Sequence, residues 1–295
     1  MDTLDSMQTF VRVCELGSFA AASQRAGVAP SVVTRQIAAL ERRLGVKLLV
    51  RTTRRVALTA AGTTYLERCR VILNLVDAAE SDVADGQQTP RGNIRISVPL
   101  SFGVRRLAPM LLDFSGRYPE IALTMDFTDR RVNLIEEGVD VSIRITQRLD
   151  PGDIARRIGS ARLRAVASPQ YLALHGQPRH PSELINHECL GYSAGDGSST
   201  WQFAVRGAVE RFPVRCRLNA NNGDVLAHAA ALGMGITLQP DFIVDDAIEQ
   251  GTLAPVLDKF PAPELGIYAM LPDNRYMPHR TRTLIDSLAE GLRED

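Results

Sequence analysis

The sequence predicts an α/β protein of three parts: an N-terminal winged helix-turn-helix, a long connecting helix, and a C-terminal α/β region large enough for two lobes. Three observations predict this fold class. The chain of 295 residues exceeds the size at which a single hydrophobic core usually stops growing. Apolar residues follow helical spacing at the start of the chain, whereas strand-like and helix-like segments alternate from residue 93 onward. The charge also differs between the two parts of the chain. Residues 1–70 hold 11 basic and five acidic side chains, whereas residues 92–295 hold 22 basic and 25 acidic side chains.

Composition narrows the class of protein. The sequence is 45% hydrophobic and 23% charged, which is typical of a globular protein, and no apolar run is long enough to span a bilayer. The N-terminus lacks the basic segment of a secretory signal, so we expect a cytoplasmic protein that does not bind membranes. A basic domain joined to a mildly acidic remainder is typical of a polyanion-binding module attached to a separate domain, although solvated surface charge alone produces the same split.

Three short helices are predicted before residue 46. Gly17 ends the first, Ser18 is the expected N-cap of the second, and Gly27 ends that helix. The third begins near Pro30, and Gly45 ends it. The apolar faces of the first and third helices comprise Leu4, Met7, Val11 and Cys14, and Val33, Ile37, Leu40 and Leu44. Two short helices joined by a glycine-containing turn indicate a helix-turn-helix.

The exposed face of the third helix carries groups suited to DNA. Polar and basic side chains near the start of such a helix meet base edges and phosphates in a major groove. Arg35 suits a guanine, Gln36 suits an adenine, and Ser31 and Thr34 suit bases or phosphate oxygens. The alternative is a solvated helix face without a partner. A predicted hairpin over residues 48–59 argues against it, because arginines at its tip would lie beside the helix against the DNA backbone or a minor groove.

The run AASQRAGVAPSVVTRQIAALERRLGVKLLVRTTRRVALTAAG, residues 21–62, resembles the signature of LysR-type transcriptional regulators. The match is gapless, and its departures from the usual pattern are small: Thr34 in place of Ser, Leu49 in place of Phe, and Ala60 in place of Glu. The resemblance implies that this domain binds double-stranded DNA with one group of residues on the recognition helix and another on the wing. These are Pro30, Ser31, Thr34, Arg35 and Gln36 on the helix, and Arg51, Arg54 and Arg55 on the wing.

Thr59 is the expected cap of a long helix that extends to about Asp85. Apolar residues recur along it at spacings of about three and four, with Glu80 in one position of the seam. They are Leu66, Cys69, Leu73, Val76 and Val83, widened by Tyr65, Ile72 and Ala79. Such a stripe packs either on its own domain or on another subunit, and the length of the helix favours the second. The segment resembles the family's dimerising linker helix, so we expect a dimer or tetramer and a pseudo-palindromic operator.

The alternation after residue 93 predicts α/β folding with mainly parallel sheets, and residues 131–138 (RVNLIEEG) are one of the predicted helices. The resemblance continues through EEGVDVSIRI and ALGMGITLQPDF, so it covers essentially the whole chain. It implies two lobes like those of periplasmic solute-binding proteins. The predicted domains are 1–58 (winged helix-turn-helix), 59–90 (linker helix and hinge) and 91–295 (effector-binding), with lobe 1 at about 92–162 plus 267–295 and lobe 2 at about 163–266.

Open α/β sheets bind ligands at the carboxyl ends of their strands, commonly between lobes. Ser101 and the free amides of a helix start can hold an anion, and Arg144 at a strand end can pair with a carboxylate. Simpler roles compete, because Ser101 and Asn222 suit helix caps, Arg144 a structural ion pair, and Trp201 a core position. The expected effector-binding residues are Leu100, Ser101, Phe102, Thr128, Arg144, Trp201, Asn221, Asn222 and Tyr268.

Catalysis finds no support in the sequence. The five histidines show no metal-binding spacing, and neither a nucleophile elbow nor a dinucleotide fingerprint is present, so we expect no catalytic residues and no metal site. No cofactor is expected other than a small-molecule co-inducer, for which a small carboxylate or aromatic acid fits best, and RNA polymerase is an expected partner. Two alternatives stay open: a DNA-binding regulator without a ligand, and redox sensing through Cys189 and Cys216, which requires an exposed, activated thiol.

Overall fold

The computed structural model describes residues 2–51, 56–83, 90–192, 200–272 and 277–294. The N-terminal domain has three helices followed by an antiparallel hairpin: Thr3–Leu16 (α1), Phe19–Ala26 (α2), Pro30–Leu44 (α3), Leu49–Arg51 (β1) and Val56–Leu58 (β2). The three helices are short because each ends at a glycine in the left-handed conformation, with φ of 59° at Gly17, 65° at Gly27 and 70° at Gly45. Ser18 caps α2 as predicted, since its Oγ accepts a hydrogen bond from Ala21 N (3.3 Å).

The core of this domain lies between α1, α3 and the residue before β1. Nearly inaccessible apolar side chains fill it: Phe10, Val13, Val33, Ile37, Leu40 and Leu48. The buried face of α1 is rotated from the predicted one, because Leu4, Val11 and Cys14 are only half-buried. The prediction that Leu44 is buried is wrong. Its side chain lies in the last turn of α3, beyond the core, and is 37% exposed, whereas Glu41 is 8% exposed.

The connecting helix α4 (Ala60–Val83) packs on the helix-turn-helix with its first turns. Thr59 caps it, since Oγ1 accepts a hydrogen bond from Gly62 N (2.9 Å). Leu66 and Cys69 are buried in the helix-turn-helix core. This half of the apolar stripe, which we expected to face another subunit, therefore packs on its own domain, because α4 lies along α1.

The second half of α4 has its apolar residues closer to solvent. Ile72 is 37% exposed and Val76 is half-buried, whereas the side chains of Glu80 and Val83 lie outside the described part of the chain. The wing residues Arg54 and Arg55 and the side chain of Arg51 also lie outside it. None of the helices described is long and apolar enough to cross a membrane.

The C-terminal region contains two five-stranded sheets, one in each lobe. The strands of lobe 1 are Gly92–Val98 (β3), Ile121–Phe127 (β4), Val141–Thr146 (β5), Ile154–Ala161 (β6) and Leu265–Leu271 (β14), in the spatial order β4-β3-β5-β14-β6. Those of lobe 2 are Leu163–Ala167 (β7), Glu188–Tyr192 (β8), Arg215–Ala220 (β11), Ile236–Pro240 (β12) and Ala254–Val256 (β13), in the order β11-β8-β12-β7-β13. A separate hairpin of Thr200–Val205 (β9) and Ala208–Pro213 (β10) packs into the core of lobe 2.

Both sheets are mixed, not mainly parallel as predicted. In lobe 1, β3 runs parallel to β4 and β5, whereas β14 runs antiparallel to β5 and β6. In lobe 2, β8 runs parallel to β11 and β12, whereas β7 runs antiparallel to β12 and β13. The flanking helical segments are Leu100–Phe102 (α5), a π-helical turn at Gly103–Leu107, Ala108–Arg117 (α6), Pro169–His175 (α7), a 3₁₀ turn at Pro181–Asn186, Gly223–Ala231 (α8), Asp241–Glu249 (α9) and His279–Glu294 (α10).

The predicted helix at residues 131–138 is wrong: this segment forms turns. Its bonds are those of one turn and its cap: Glu137 N donates to Asn133 O (2.9 Å), Asn133 Oδ1 accepts from Glu136 N (3.3 Å), and Glu137 Oε1 accepts from Asn133 N (3.0 Å). Gly138 then ends the segment with φ of 61°. The segment therefore closes after one turn and does not continue as the helix that the apolar spacing predicts.

Candidate DNA-binding surface and effector site

The N-terminal half of α3 presents the predicted DNA-binding residues to solvent. Pro30 occupies the first turn, where its missing N–H costs nothing. Pro30, Ser31 and Arg35 are exposed and Thr34 is half-buried, because Val33 and Ile37 hold the opposite face of α3 in the core. This face can enter a major groove without any change in the packing of the domain.

Gln36 differs from its neighbours on the surface of α3. Its side chain is half-buried, and Oε1 accepts a hydrogen bond from Thr9 Oγ1 (2.9 Å) in α1. A bidentate contact with adenine needs both the amide oxygen and the amide nitrogen. One lone pair of the oxygen accepts from Thr9, so Gln36 fixes the recognition helix on α1, and its contact with adenine stays a prediction.

Glu41 is a functional residue that the sequence analysis missed. Its buried carboxylate accepts hydrogen bonds from Leu48 N (3.0 Å), Leu49 N (3.2 Å) and Lys47 Nζ (2.6 Å). Burial raises the pKa of Glu41, but these three bonds outweigh it, so the pKa lies below its ordinary value. The carboxylate thereby fastens the start of the wing to the recognition helix. The available signal was its spacing, four residues after Ile37 on the apolar face.

Polar side chains and one backbone amide from both lobes meet at one place, which we call the interlobe site (Leu100, Ser101, Asp129, Asn222 and Asp224). Ser101 Oγ in lobe 1 donates to Asp224 Oδ2 in lobe 2, and Asn222 Nδ2 donates to Ser101 Oγ (3.4 Å). Asp129 Oδ1 accepts from Leu100 N (2.9 Å), and Asp129 Oδ2 accepts from Asn222 Nδ2 (3.5 Å). Three of these five residues were predicted. The two carboxylates were not.

Arg105 and Phe102 add further cross-lobe contacts beside the interlobe site. Arg105 lies in the π-helical turn after α5, and its guanidinium donates to Asp224 Oδ1 (2.8 Å) and Asp246 Oδ2 (3.4 Å). Phe102 is 2% exposed, and its ring lies 4.9 Å from that of Phe242. Phe102 therefore joins the lobes as a buried apolar residue, which removes it from the ligand-contact role that we predicted.

Two donors at the helix start of Ser101 are already bound to carboxylates. Leu100 N is bound to Asp129 and the Ser101 hydroxyl to Asp224, so carboxylates of the protein occupy the groups that we predicted would bind an anion. Asn222 caps α8, since its Oδ1 accepts from Val225 N (3.2 Å), and it also reaches across to lobe 1. Asn222 is therefore a helix cap that also contacts lobe 1, and its contact with an effector stays a prediction.

The remaining predicted effector residues occupy different environments. Trp201 is 8% exposed in the core of lobe 2, so its predicted place in the site is wrong. Arg144 lies 4.0 Å from Asp153 in an ion pair, and burial lowers its pKa. The ring of Tyr268 covers the Gly266 backbone of its own strand. Thr128 is half-buried directly before Asp129, and Asn221 is exposed directly before Asn222.

Tyr192 was also missed. It ends β8 in lobe 2, and its pKa is raised by burial and, secondarily, by the charge of Asp129 in lobe 1. The charge of Asp129 in lobe 1 therefore acts on a side chain at the end of a lobe 2 strand. The signal available in the sequence was its position at the carboxyl end of a parallel strand.

The two cysteines of the redox alternative are neighbours on β8 and β11, where Cys189 and Cys216 are paired in register. Burial raises the pKa of Cys189 to about 12 and also raises the pKa of Cys216. Cys189 is fully buried and Cys216 is half-buried. The exposed thiol with a lowered pKa that redox sensing requires is therefore not found at either position.

Family comparisons identify the two parts of the chain. Residues 4–63 match the family model of the bacterial regulatory helix-turn-helix protein, lysR family. Residues 87–293 match the model of the LysR substrate binding domain. This chain belongs to the LysR family. As a LysR-type regulator it binds DNA through its helix-turn-helix, regulates transcription and carries an effector-binding domain.

Relatives match this LysR-type regulator over nearly its whole length. An HTH-type transcriptional regulator of Xanthomonas campestris pv. campestris is 35% identical over 99% of this chain and 86% of its own. The HTH-type transcriptional regulator CrgA of Neisseria meningitidis serogroup C is 34% identical over 98% and 96%. The structure of CrgA has a TM-score of 0.61 at 33% identity, covering 99% of both chains. The full-length Vibrio cholerae virulence activator AphB has a TM-score of 0.59 at 31% identity, covering 98% and 99%.

Proposed function

We propose that this LysR-type regulator binds a pseudo-palindromic operator as a dimer or tetramer, and that a small molecule at the interlobe site changes its DNA contacts and thereby its effect on RNA polymerase. The observation that carries the effector part is the cross-lobe bond between Ser101 and Asp224. Polar groups that join two lobes and remain partly accessible can exchange these bonds for bonds to a ligand. Such a ligand shifts the protein only as far as it prefers one arrangement of the lobes to the other.

The charges of the site favour one class of effector. The Arg105 guanidinium is bound by the carboxylates of Asp224 and Asp246, and a third carboxylate of the site, Asp129, accepts from Leu100 N and Asn222 Nδ2. An acidic effector must displace Asp224 from Ser101 and Arg105, whereas an effector with hydroxyl or amine groups can donate to acceptors already in place. We therefore revise the expectation of a small carboxylate and propose a small hydrogen-bond donor as the effector.

The Ser101 hydroxyl is the group to remove in a test of this site. A panel of small polyols, amines and carboxylates is screened by thermal shift on the full-length protein, and the best compound is titrated calorimetrically. Ser101→Ala is expected to raise the Kd of that compound about tenfold, because a hydrogen bond between the ligand and the site is lost. Ser115→Ala, a matched change at a half-exposed serine of α6, is expected to leave the Kd unchanged. An equal Kd for Ser101→Ala and the unchanged protein would remove Ser101 from the site.

A further inference from the structure

We propose that residues 129–140, the connecting segment, transmit the state of the interlobe site to the DNA-binding domain through Arg70 of α4. That this route serves a ligand response rests on the proposed function. The mechanical connection itself does not, since it is argued from contacts within the chain. The connecting segment is the same stretch that forms turns in place of the predicted helix.

The first residue of the connecting segment is held from both lobes. Asp129 accepts from Leu100 N of lobe 1 at 2.9 Å and from Asn222 Nδ2 of lobe 2 at 3.5 Å. Asn222 also donates to Ser101, which binds Asp224. Any change in the separation of the lobes therefore changes the bonds of Asp129.

The body of the connecting segment is one hydrogen-bonded unit. Glu137 accepts from both terminal nitrogens of the Arg130 guanidinium and from Asn133 N (3.0 Å), which closes the segment on itself. The Arg130 bonds lower the pKa of Glu137, so this carboxylate is charged at neutral pH. Val132 and Val139 are 5% and 6% exposed. A unit with these internal bonds tilts as a whole when one end moves.

Two anchors on strand β3 define the axis of this tilt. Before the segment, Thr128 N donates to Val98 O (2.9 Å). At its end, Asp140 Oδ2 accepts from Arg95 N (2.8 Å) and Asp140 N donates to Arg95 O (2.9 Å). Between the anchors no described residue of the segment belongs to a strand, and Arg131 forms an exposed ion pair with Asp150, so the segment can change orientation against the sheet while both ends stay bound.

The far end of the connecting segment contacts α4. Gly138 has φ of 61°, and a Cβ built there would lie 2.9 Å from Arg70 Cδ, so the Arg70 stem lies directly on the Gly138 backbone. The Arg70 guanidinium continues to the helix-turn-helix, where Nη2 lies 3.4 Å from Glu15 Oε1 in α1. Arg70 thus contacts lobe 1 with its stem and the DNA-binding domain with its charge.

One hydrogen-bond donor of Arg70 is unsatisfied among the described residues. Its Nε is buried, and within the described residues it has no hydrogen-bond partner. A buried donor without a partner costs free energy, so a shift that gives Nε a partner is favourable at this contact. A contact of this kind rearranges readily when Gly138 moves.

A double-mutant cycle on the full-length protein tests the connection without any ligand. Asp129→Asn weakens the interlobe end, and Glu15→Gln removes the ion pair at the DNA-binding end while leaving the Arg70 stem on Gly138. Operator Kd is measured on the duplex that the unchanged protein selects from a random pool. Asp129→Asn is expected to change Kd about three- to tenfold, and this change is expected to disappear in the Glu15→Gln background. Glu120→Gln, a matched change at an exposed carboxylate of lobe 1, is expected to have no effect in either background.

Hydrogen exchange gives a second readout that does not involve DNA. Asp129→Asn is expected to accelerate amide exchange at residues 133–140 in both backgrounds, but at residues 12–16 of α1 only where Glu15 is present. Asp129→Asn changing Kd equally in both backgrounds, or not at all, would overturn the proposal. Neither outcome depends on an effector being found, so a failed ligand screen would count against the proposed function alone.

Discussion

Replacing Gly62 by alanine is expected to destabilise the DNA-binding domain by about 3 kcal/mol or more. A Cβ at this position would lie 2.0 Å from Leu48 O and 2.9 Å from Leu48 C, far inside contact distance. Leu48 cannot retreat, because its carbonyl accepts from Thr59 N (3.0 Å) and its amide donates to Glu41 Oε1 (3.0 Å). The helix α4 must therefore move away from the wing, and the buried contacts of Leu66 are lost with it.

Urea unfolding of the full-length protein, followed by a probe in the N-terminal domain, measures this effect. Gly116→Ala is the matched control, because Gly116 lies in α6 with no atom within 4 Å of a built Cβ. There the substitution is expected to stabilise by up to about 1 kcal/mol through helix propensity. Equal stabilities of Gly62→Ala and the unchanged protein would mean that α4 does not approach the Leu48 backbone as described.

Replacing Glu41 by alanine is expected to destabilise the same domain by about 2 to 4 kcal/mol. The change leaves two amides, Leu48 N and Leu49 N, without their acceptor, and both residues are buried. Glu41→Gln keeps an oxygen that can accept from both amides and loses only the charge toward Lys47, so its expected cost is about 1 kcal/mol. Equal losses in the free energy of unfolding for Glu41→Ala and Glu41→Gln, measured in urea, would show that Glu41 does not stabilise the domain through its bonds to the two amides.

The same carboxylate gives the stability a defined pH dependence. The pKa of Glu41 in the folded protein lies below its ordinary value of 4.5, so the unfolded state takes up a proton first as the pH falls. The contribution of Glu41 is therefore complete above about pH 4.5 and is lost as the pH falls through the folded-state pKa. In the Glu41→Gln protein this part of the acid destabilisation is expected to be absent.

The features of the DNA-binding domain that local chemistry determines could be predicted from sequence. Gly17, Gly27 and Gly45 mark helix ends because each takes the left-handed conformation, and Ser18 marks a helix start because its hydroxyl binds a free amide. Glu41 could not be predicted in this way. Burial of a charge is favourable only where distant amides meet it, and Leu48 and Leu49 reach it through the fold.

The residues of the interlobe site differ in the same way, because some are set by local sequence and others by contacts between distant residues. Ser101 and Asn222 follow strands and begin helices, so local pattern suffices to find them. Their cross-lobe partners come into place only through the relative orientation of the two lobes, since Ser101 and Asp224 are 123 positions apart and Asn222 and Asp129 are 93 apart. Trp201 was predicted to lie in the site but lies in the core of lobe 2. The sequence pattern of an aromatic residue on a short strand is the same in both environments.

DNA binding by the exposed face of α3 is tested most directly by competition titration of the selected duplex against a scrambled one at two salt concentrations. We expect preference for the selected duplex and a steep loss of affinity with salt, since arginines neutralise phosphates. Arg35→Ala is expected to cost about 1 to 3 kcal/mol on the selected duplex and much less on the scrambled one, as the predicted contact of Arg35 with a base edge requires. Arg117→Ala, an exposed arginine of lobe 1, is the matched control and is expected to bind both duplexes normally. Equal binding of both duplexes by the unchanged protein, or an equal loss on both with Arg35→Ala, would contradict sequence reading by this helix.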